Sequence, residues 1–202
     1  TVDEAAFQAL MESIPASTHK KRVGSKNARL RTVYTLLYYT GVRVNELRRV
    51  TLSDLMPVVE DNELPTVLDK QKDTTIRQVS SQGSEAAKRL QAEIDLVFKE
   101  RKLQHLGESP YKPGTLIPRK AWIGLANTAM RKAKSGKEDG SNHKSHPFRA
   151  GFVSRALERV SVQHAAQLIG HESITSTMAY NRHTSNKDKK MKILDQMFDS
   201  QP

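Results

Sequence analysis

The sequence predicts a mainly helical α+β domain with one small antiparallel β-sheet, and three observations lead there. Apolar residues recur at three- and four-residue spacing through most of the chain, the period of helices with one buried face. Only the segments 57–59, 64–69 and 75–80 are rich in Val, Ile and Thr, and the clusters Glu60-Asp61-Asn62 and Lys72-Asp73-Thr74 break them into strands. The length, 202 residues, suits one well-buried core rather than two full-sized domains.

Thr1-Val2-Asp3-Glu4 has the spacing of a capping box, and Phe7, Leu10, Met11 and Ile14 mark the buried face of a first helix that stops before Pro15. A loop rich in Lys and Arg is expected over 18–26. Leu30, Val33, Tyr34, Leu37 and Tyr38 then trace a second helix ended by Thr40-Gly41, with Arg43 just past the break. Residues 44–50 return to helical character, and Ser53 and Asp54 supply turn or capping groups ahead of the sheet. Ser84 is expected to cap a helix with the stripe Ala87, Leu90, Ile94, Val97 and Phe98, and 107–114, with two prolines, reads as a loop. Helical pattern resumes near Arg119 and runs to about Lys134. The stretch 135–144 has no apolar residue and is expected to be a surface loop leading to His146. Two helices follow, 149–159 and 161–169, with Ser161 as cap and Gly170 as stop. Beyond Tyr180 a polar linker precedes a short amphipathic helix marked by Met191, Leu194, Met197 and Phe198. There is no internal repeat.

Lysine and arginine number 33 against 22 acidic residues, a net charge of +11. Such an excess favours a polyanionic partner, although ribosomal, membrane-surface and heparin-binding proteins share it. No apolar run approaches the roughly 18 residues of a membrane span, and the polar start lacks the features of a secretory signal, so no membrane association is expected. The absence of cysteine excludes disulfides, cysteine-zinc sites and thiol chemistry. Neither an H-E-x-x-H nor a G-x-x-x-x-G-K-[ST] pattern occurs, and no metal or other cofactor is expected.

The residues that carry chemistry fall into four separated motifs: Thr40-Gly41-Val42-Arg43-Val44-Asn45-Glu46-Leu47, His146-Pro147-Phe148-Arg149, Ile169-Gly170-His171, and Tyr180 nine residues further on. Each of two arginines can clamp non-bridging phosphate oxygens through paired N–H donors; a tyrosine hydroxyl is a nucleophile, and imidazoles hold or move protons. Those are the side chains needed to move a phosphodiester onto a protein hydroxyl without a metal. An H-x-x-R alone means little in a chain this basic. In this order and at these separations, the motifs resemble the catalytic domain of tyrosine recombinases, the phage-integrase family of site-specific DNA recombinases, over nearly the whole chain.

The resemblance implies a tyrosine-recombinase-like catalytic domain over 1–184, with 185–202 as an amphipathic helix that docks on a neighbouring protomer; packing on its own core is the ordinary alternative for such a helix. It further implies that the separate helical DNA-binding domain usual in the family is missing here, and that the sequence is a piece of something longer. Arg43 and Arg149 would grip the scissile phosphate, Glu46 would brace Arg43, and Tyr180 would be the nucleophile. His146 and His171 would complete the site, with His171 donating to the phosphate. A lysine at the hairpin tip would be the general acid. Lys70 and Lys72 both lie near that tip, and placing Ile76 to Ser80 on the family's apolar strand favours Lys72. That strand lacks the proline common there, and Ala150 stands where a histidine often follows the second arginine.

Glu46 is the only acidic residue between Thr18 and Arg49, and basic residues outnumber Glu138 and Asp139 from Arg119 to Arg149. These stretches flank the motifs, so Lys70, Arg119, Lys120, Arg131 and Lys132 are expected to contact a DNA backbone. The expected activity is cleavage and rejoining of double-stranded DNA through a 3′-phosphotyrosyl intermediate, by a protein that is intracellular, DNA-associated and tetrameric on its substrate. A type IB topoisomerase, which shares the chemistry and works alone, and a non-catalytic DNA-binding accessory factor are the rival readings.

Overall fold

Helix α2 (Arg22–Thr40) is the longest element, and it is buried on almost every side. Leu30, Val33, Tyr34, Leu36, Leu37 and Tyr38 are in the core, with Arg29, Thr32 and Thr35 buried between them. Two of its buried threonines satisfy themselves on the helix backbone: Thr32 Oγ1 donates to Ala28 O at 3.0 Å, and Thr40 Oγ1 to Leu36 O at 2.6 Å. The computed structural model describes residues 2–16, 22–68, 73–133, 146–170 and 174–181. It divides into two compact units, 1–152 and 153–202. As expected, the fold is mainly helical with one small antiparallel sheet.

Helix α1 (Glu4–Glu12) buries Phe7 and Leu10. Its cap is Asp3, whose Oδ1 accepts from Ala6 N at 2.8 Å, and not the box expected from Thr1. Arg31 satisfies the chain end beyond it, donating to Met11 O and Ile14 O at 2.8 and 3.0 Å and pairing with Glu93 at 3.1 Å. α2 starts at Arg22, inside the loop expected over 18–26, because extending a buried helix adds one hydrogen bond per residue even where the composition is polar. Residues 17–21 lie outside the described set.

α2 ends at Gly41, which has φ +62° and donates to Leu37 O at 3.1 Å. The helical character expected at 44–50 is a 3₁₀ turn, Glu46–Arg49. α3 (Leu52–Glu60) follows, opened by a capping box between Thr51 and Asp54. The strand expected at 57–59 is therefore helix: the box fixes the start, and Leu55 and Val58, one turn apart, share the buried face, so packing overrides the strand preference of the two valines. β1 (Glu63–Val67) and β2 (Thr74–Gln78) pair antiparallel, Glu63 opposite Gln78 and Val67 opposite Thr74. The hairpin tip, 69–72, is outside the described residues.

α4 (Ser81–Arg89) is capped by Ser80, whose Oγ accepts from Gly83 N at 3.1 Å. Ser84, the expected cap, lies within the helix, buried, and donates to Val59 O at 3.2 Å. α5 (Gln91–Asp95) continues into a π-helical turn, Leu96–Glu100, and the stripe from Ala87 to Phe98 is buried as expected. α6 (Arg119–Ala133) reaches the expected limits within a residue. Trp122 Nε1 donates to Val44 O at 2.6 Å and the Tyr34 hydroxyl to Ala126 O, tying α6 to the first motif and to the helix that leads into it. α7 (His146–Leu157) runs into the second unit, where α8 (Val162–Ile169) has the expected Ser161 cap and ends at Gly170 with φ +64°. α9 (Ile174–Asn181), for which the sequence raised no expectation, packs on α8. The loop 135–144 and the terminal helix are outside the described residues. Among those described, no helix is long and apolar enough to cross a membrane.

Gly41 is constrained twice. Its φ is left-handed, and a Cβ there would lie 2.6 Å from Phe152 Cδ1. Gly41→Ala should combine about 1–2 kcal/mol of backbone strain with about 1–3 kcal/mol of overpacking. Urea denaturation should show a matching loss of stability, and an unchanged midpoint would contradict this account of the turn.

Candidate active site

Arg43 follows the Gly41 turn with Val42 and Val44 buried on either side, which leaves its own side chain 37% exposed. Its base is nevertheless held. Glu46, with no solvent exposure, accepts from Arg43 Nη1 at 2.9 Å through Oε1 and from Arg43 N at 3.0 Å through Oε2. Oε2 also accepts from Arg77 Nη2 at 3.0 Å. Arg77 points inward from β2, opposite Leu64, and its Nε donates to Thr66 Oγ1 at 3.3 Å. One carboxylate thus ties the first arginine to the root of the hairpin.

Burial by itself would push the Glu46 carboxyl up; the charge of Arg77, with the backbone and side-chain donors of Arg43, outweighs it and holds the group below the usual carboxylate range. Burial pulls Arg77 down from the usual guanidinium range, Glu46 opposes that pull and Arg43 adds to it. The two shifts favour opposite charge states for the pair. Guanidinium has so much margin above neutral pH that the ionised pair is the right description.

The second arginine arrives from α7. Phe148 is fully buried and stacks on Tyr34, ring centroids 5.5 Å apart and planes at 12°. Val2 N donates to Pro147 O at 3.2 Å, and Gly151 lies so close to the same residue that a Cβ would sit 2.5 Å from Val2 O. These contacts fix the first turns of α7. Arg149 is consequently buried, 4% exposed, and its Nη1 donates to Gly41 O at 2.7 Å. Residues more than a hundred positions apart therefore meet at one turn: Arg149 on the carbonyl of Gly41, and Arg43 two residues later.

Of the other expected residues, His146 opens α7 one turn before Arg149, and Tyr180 lies near the end of α9. The side chains of His146, Tyr180 and Lys132 are outside the described set, as are Lys70, Lys72 and His171 entirely. Arg119, Lys120 and Arg131 are exposed on α6. Arg77 was not anticipated, since strand alternation was read for apolar residues, yet it is the inward residue of β2 where Ile76 is 56% exposed. The available signal was Glu46, a lone acid in a basic stretch. Among the described residues, no group of His, Asp and Glu is arranged to hold a metal ion.

The model of the Phage integrase family matches residues 2–187. Tyrosine recombinase XerA of Pyrococcus horikoshii is 27% identical over 192 residues, covering 88% of this chain and 59% of that protein. Among solved structures, XerA recombinase aligns at a TM-score of 0.66 and 20% identity, covering 100% of this chain and 64% of the other. XerH site-specific recombinase, in a post-cleavage complex with palindromic difH substrate, aligns at 0.66 and 16%, covering 96% and 52%. The chain thus spans less than two thirds of the length of these relatives.

The Glu46 cluster sets a pH dependence. The folded pKa lies below the unfolded value of about 4.3, so the ionised carboxylate contributes stability above that value and loses it as pH falls through the folded pKa. Glu46→Gln should cost about 3–5 kcal/mol at pH 7, because it strands a buried guanidinium, and the gap from wild type should narrow below about pH 4. Urea midpoints across this range measure it; a gap independent of pH would argue against an ionised Glu46.

Proposed function

The chain belongs to the phage integrase family, and from that premise we propose that it is the catalytic part of a site-specific DNA recombinase that breaks and rejoins duplex DNA through a 3′-phosphotyrosyl intermediate. The observation that carries the reading is the meeting of Arg43 and Arg149 at the Gly41 turn, the first braced by a buried carboxylate and half open to solvent. Guanidinium matches phosphate geometry and keeps its charge at any working pH, which suits two positions that must neutralise a pentacovalent phosphorane.

In the proposed reaction the Tyr180 oxygen attacks the scissile phosphorus. The bond from phosphorus to tyrosine oxygen forms as the bond to the 5′ oxygen breaks, and Lys72 gives that oxygen its proton. His171 donates to the phosphate, His146 takes the proton that the Tyr180 hydroxyl releases, and the phosphotyrosyl ester keeps the energy of the broken bond for rejoining. No cofactor is needed for such an exchange. Lys70, Arg119, Lys120, Arg131 and Lys132 are assigned to the DNA backbone, which places the duplex without reading its sequence. Exchange between two duplexes breaks four strands, and each chain brings one Tyr180. Four protomers therefore act together on DNA, with 1–184 as the catalytic domain and the 185–202 helix linking neighbours. An intracellular, DNA-associated location follows from the substrate.

A nicked suicide substrate, from which the cleaved fragment diffuses away, tests the reading: wild type should accumulate a covalent adduct at Tyr180. Tyr180→Phe should form none while binding DNA almost normally, and Arg43→Ala or Arg149→Ala should slow cleavage roughly 10²–10³-fold. Binding without any adduct would favour the accessory-factor reading, and an adduct on another tyrosine would remove Tyr180 from the role.

The lysine assignment has its own test, since a thiolate leaves without a proton. Lys72→Ala should cleave an ordinary phosphodiester poorly and recover much of its rate on a 5′-bridging phosphorothioate. Lys70→Ala should show a smaller defect and no recovery. Recovery confined to Lys70→Ala would exchange the two roles.

A further inference from the structure

Tyr111 is 64% exposed on the loop between the π-helical turn and α6, and this loop is built to hold its shape. Its centre is Glu108, 1% exposed, whose Oε2 accepts from Gln104 N at 2.7 Å and His105 N at 3.2 Å and whose Oε1 accepts from Gly114 N at 2.6 Å. Burial would raise the Glu108 carboxyl, and these three backbone donors hold it down instead. Ser109 N donates to Thr115 O at 2.8 Å and Thr115 N to Lys112 O at 3.0 Å, closing the loop on itself around Pro110 and Pro113.

The same loop is fastened to the scaffold of Arg43. Leu106 N donates to Val50 O at 2.7 Å, Gly107 N to Arg48 O at 3.0 Å, and Arg48 Nη1 to Ile117 O at 3.0 Å, so the 3₁₀ turn that carries Glu46 also carries the loop's base. Gly107 permits the approach: a Cβ there would lie 2.7 Å from Arg48 O. Beyond the buried Glu108 the exposed charge is basic. From Ser109 to Lys132 there is no acidic residue, and Lys112, Arg119 and Lys120 are all exposed.

We propose that the 108–115 loop is a preorganised DNA-contact element, seating the Tyr111 ring against sugars and base edges of the duplex and Lys112 on a backbone phosphate. The proposal rests on the recombinase reading and adds a contact outside the phosphate clamp. An exposed ring next to Lys112 matches a duplex, where sugars and base edges lie beside charged phosphates, whereas a protein partner would need a broader apolar surface than this single ring. Because Glu108, the prolines and the cross-loop bonds fix the loop before DNA arrives, little ordering cost opposes the contact.

Fluorescence anisotropy with this chain and a labelled duplex, over a range of salt, is the test. Tyr111→Ala should raise Kd about tenfold with the salt slope unchanged, and Tyr111→Phe should stay within about twofold of wild type. Lys112→Ala should weaken binding and reduce the slope of log K against log salt by about one. Wild-type binding with an unaffected Tyr111→Ala would overturn the loop proposal and leave the recombinase reading intact. A Tyr111→Phe as weak as Tyr111→Ala would overturn the ring contact, and a wild-type chain that binds no duplex would remove both readings together.

Discussion

A carboxylate sealed from solvent is stable in its charged form only where donors and cations enclose it, and Glu46 meets that condition with two arginines and a backbone N–H. The requirement works in both directions. Arg43 cannot swing freely, because two of its N–H groups are spent on Glu46; Arg77 cannot leave the interior without depriving the buried Glu46 of one of its two cations. The hairpin, the 3₁₀ turn and the end of α2 are consequently registered to one another by a single side chain. A buried ion pair of this kind adds little net stability compared with apolar packing of the same volume. Its value lies in allowing few alternative geometries, and the proposed phosphate clamp depends on geometry.

Arg149 is positioned by a different kind of force. Shape sets the path of the helix that carries it. The buried ring of Phe148 against Tyr34, the close approach of Gly151 to Val2, and the space that Gly41 leaves for Phe152 set the rotation and depth of α7, and the guanidinium then meets the Gly41 carbonyl. Electrostatic pairing thus positions Arg43 and steric fit sets the helix of Arg149, and both converge on a glycine whose left-handed φ most side chains would strain.

What the sequence made legible follows from how local each signal was. The ends of α6 and α8, the Gly41 and Gly170 stops and the Ser161 cap depend on residues within one turn of each other, and they stand where expected. Ser80 displaced Ser84 as a cap because Ser84 has a buried acceptor on another helix, Val59 O, which no local pattern encodes. Val58 and Val59 read as strand until the Thr51–Asp54 box and the buried face of α3 are set beside them. The chemistry-bearing residues were legible as types and spacings. The brace on Arg43 was half legible: Glu46 stands one turn away, whereas Arg77 comes from 31 positions later and from an inward strand position usually given to an apolar side chain.

The same cluster bears on how the free protein relates to its substrate. Arg43 and Arg77 share the Glu46 carboxylate, and the charge of Arg43 works against that of Arg77. Like charges gathered in a partly desolvated place repel, and the folded state bears that cost in the absence of an anion. A phosphate arriving there relieves the repulsion, and the phosphorane, with more charge on its equatorial oxygens, relieves it further. In the proposed reaction, the strain carried by the free protein thus becomes stabilisation of the transition state. In the proposed clamp, one carboxylate shared between Arg43 and Arg77 positions Arg43 while leaving its side chain partly exposed to meet a phosphate.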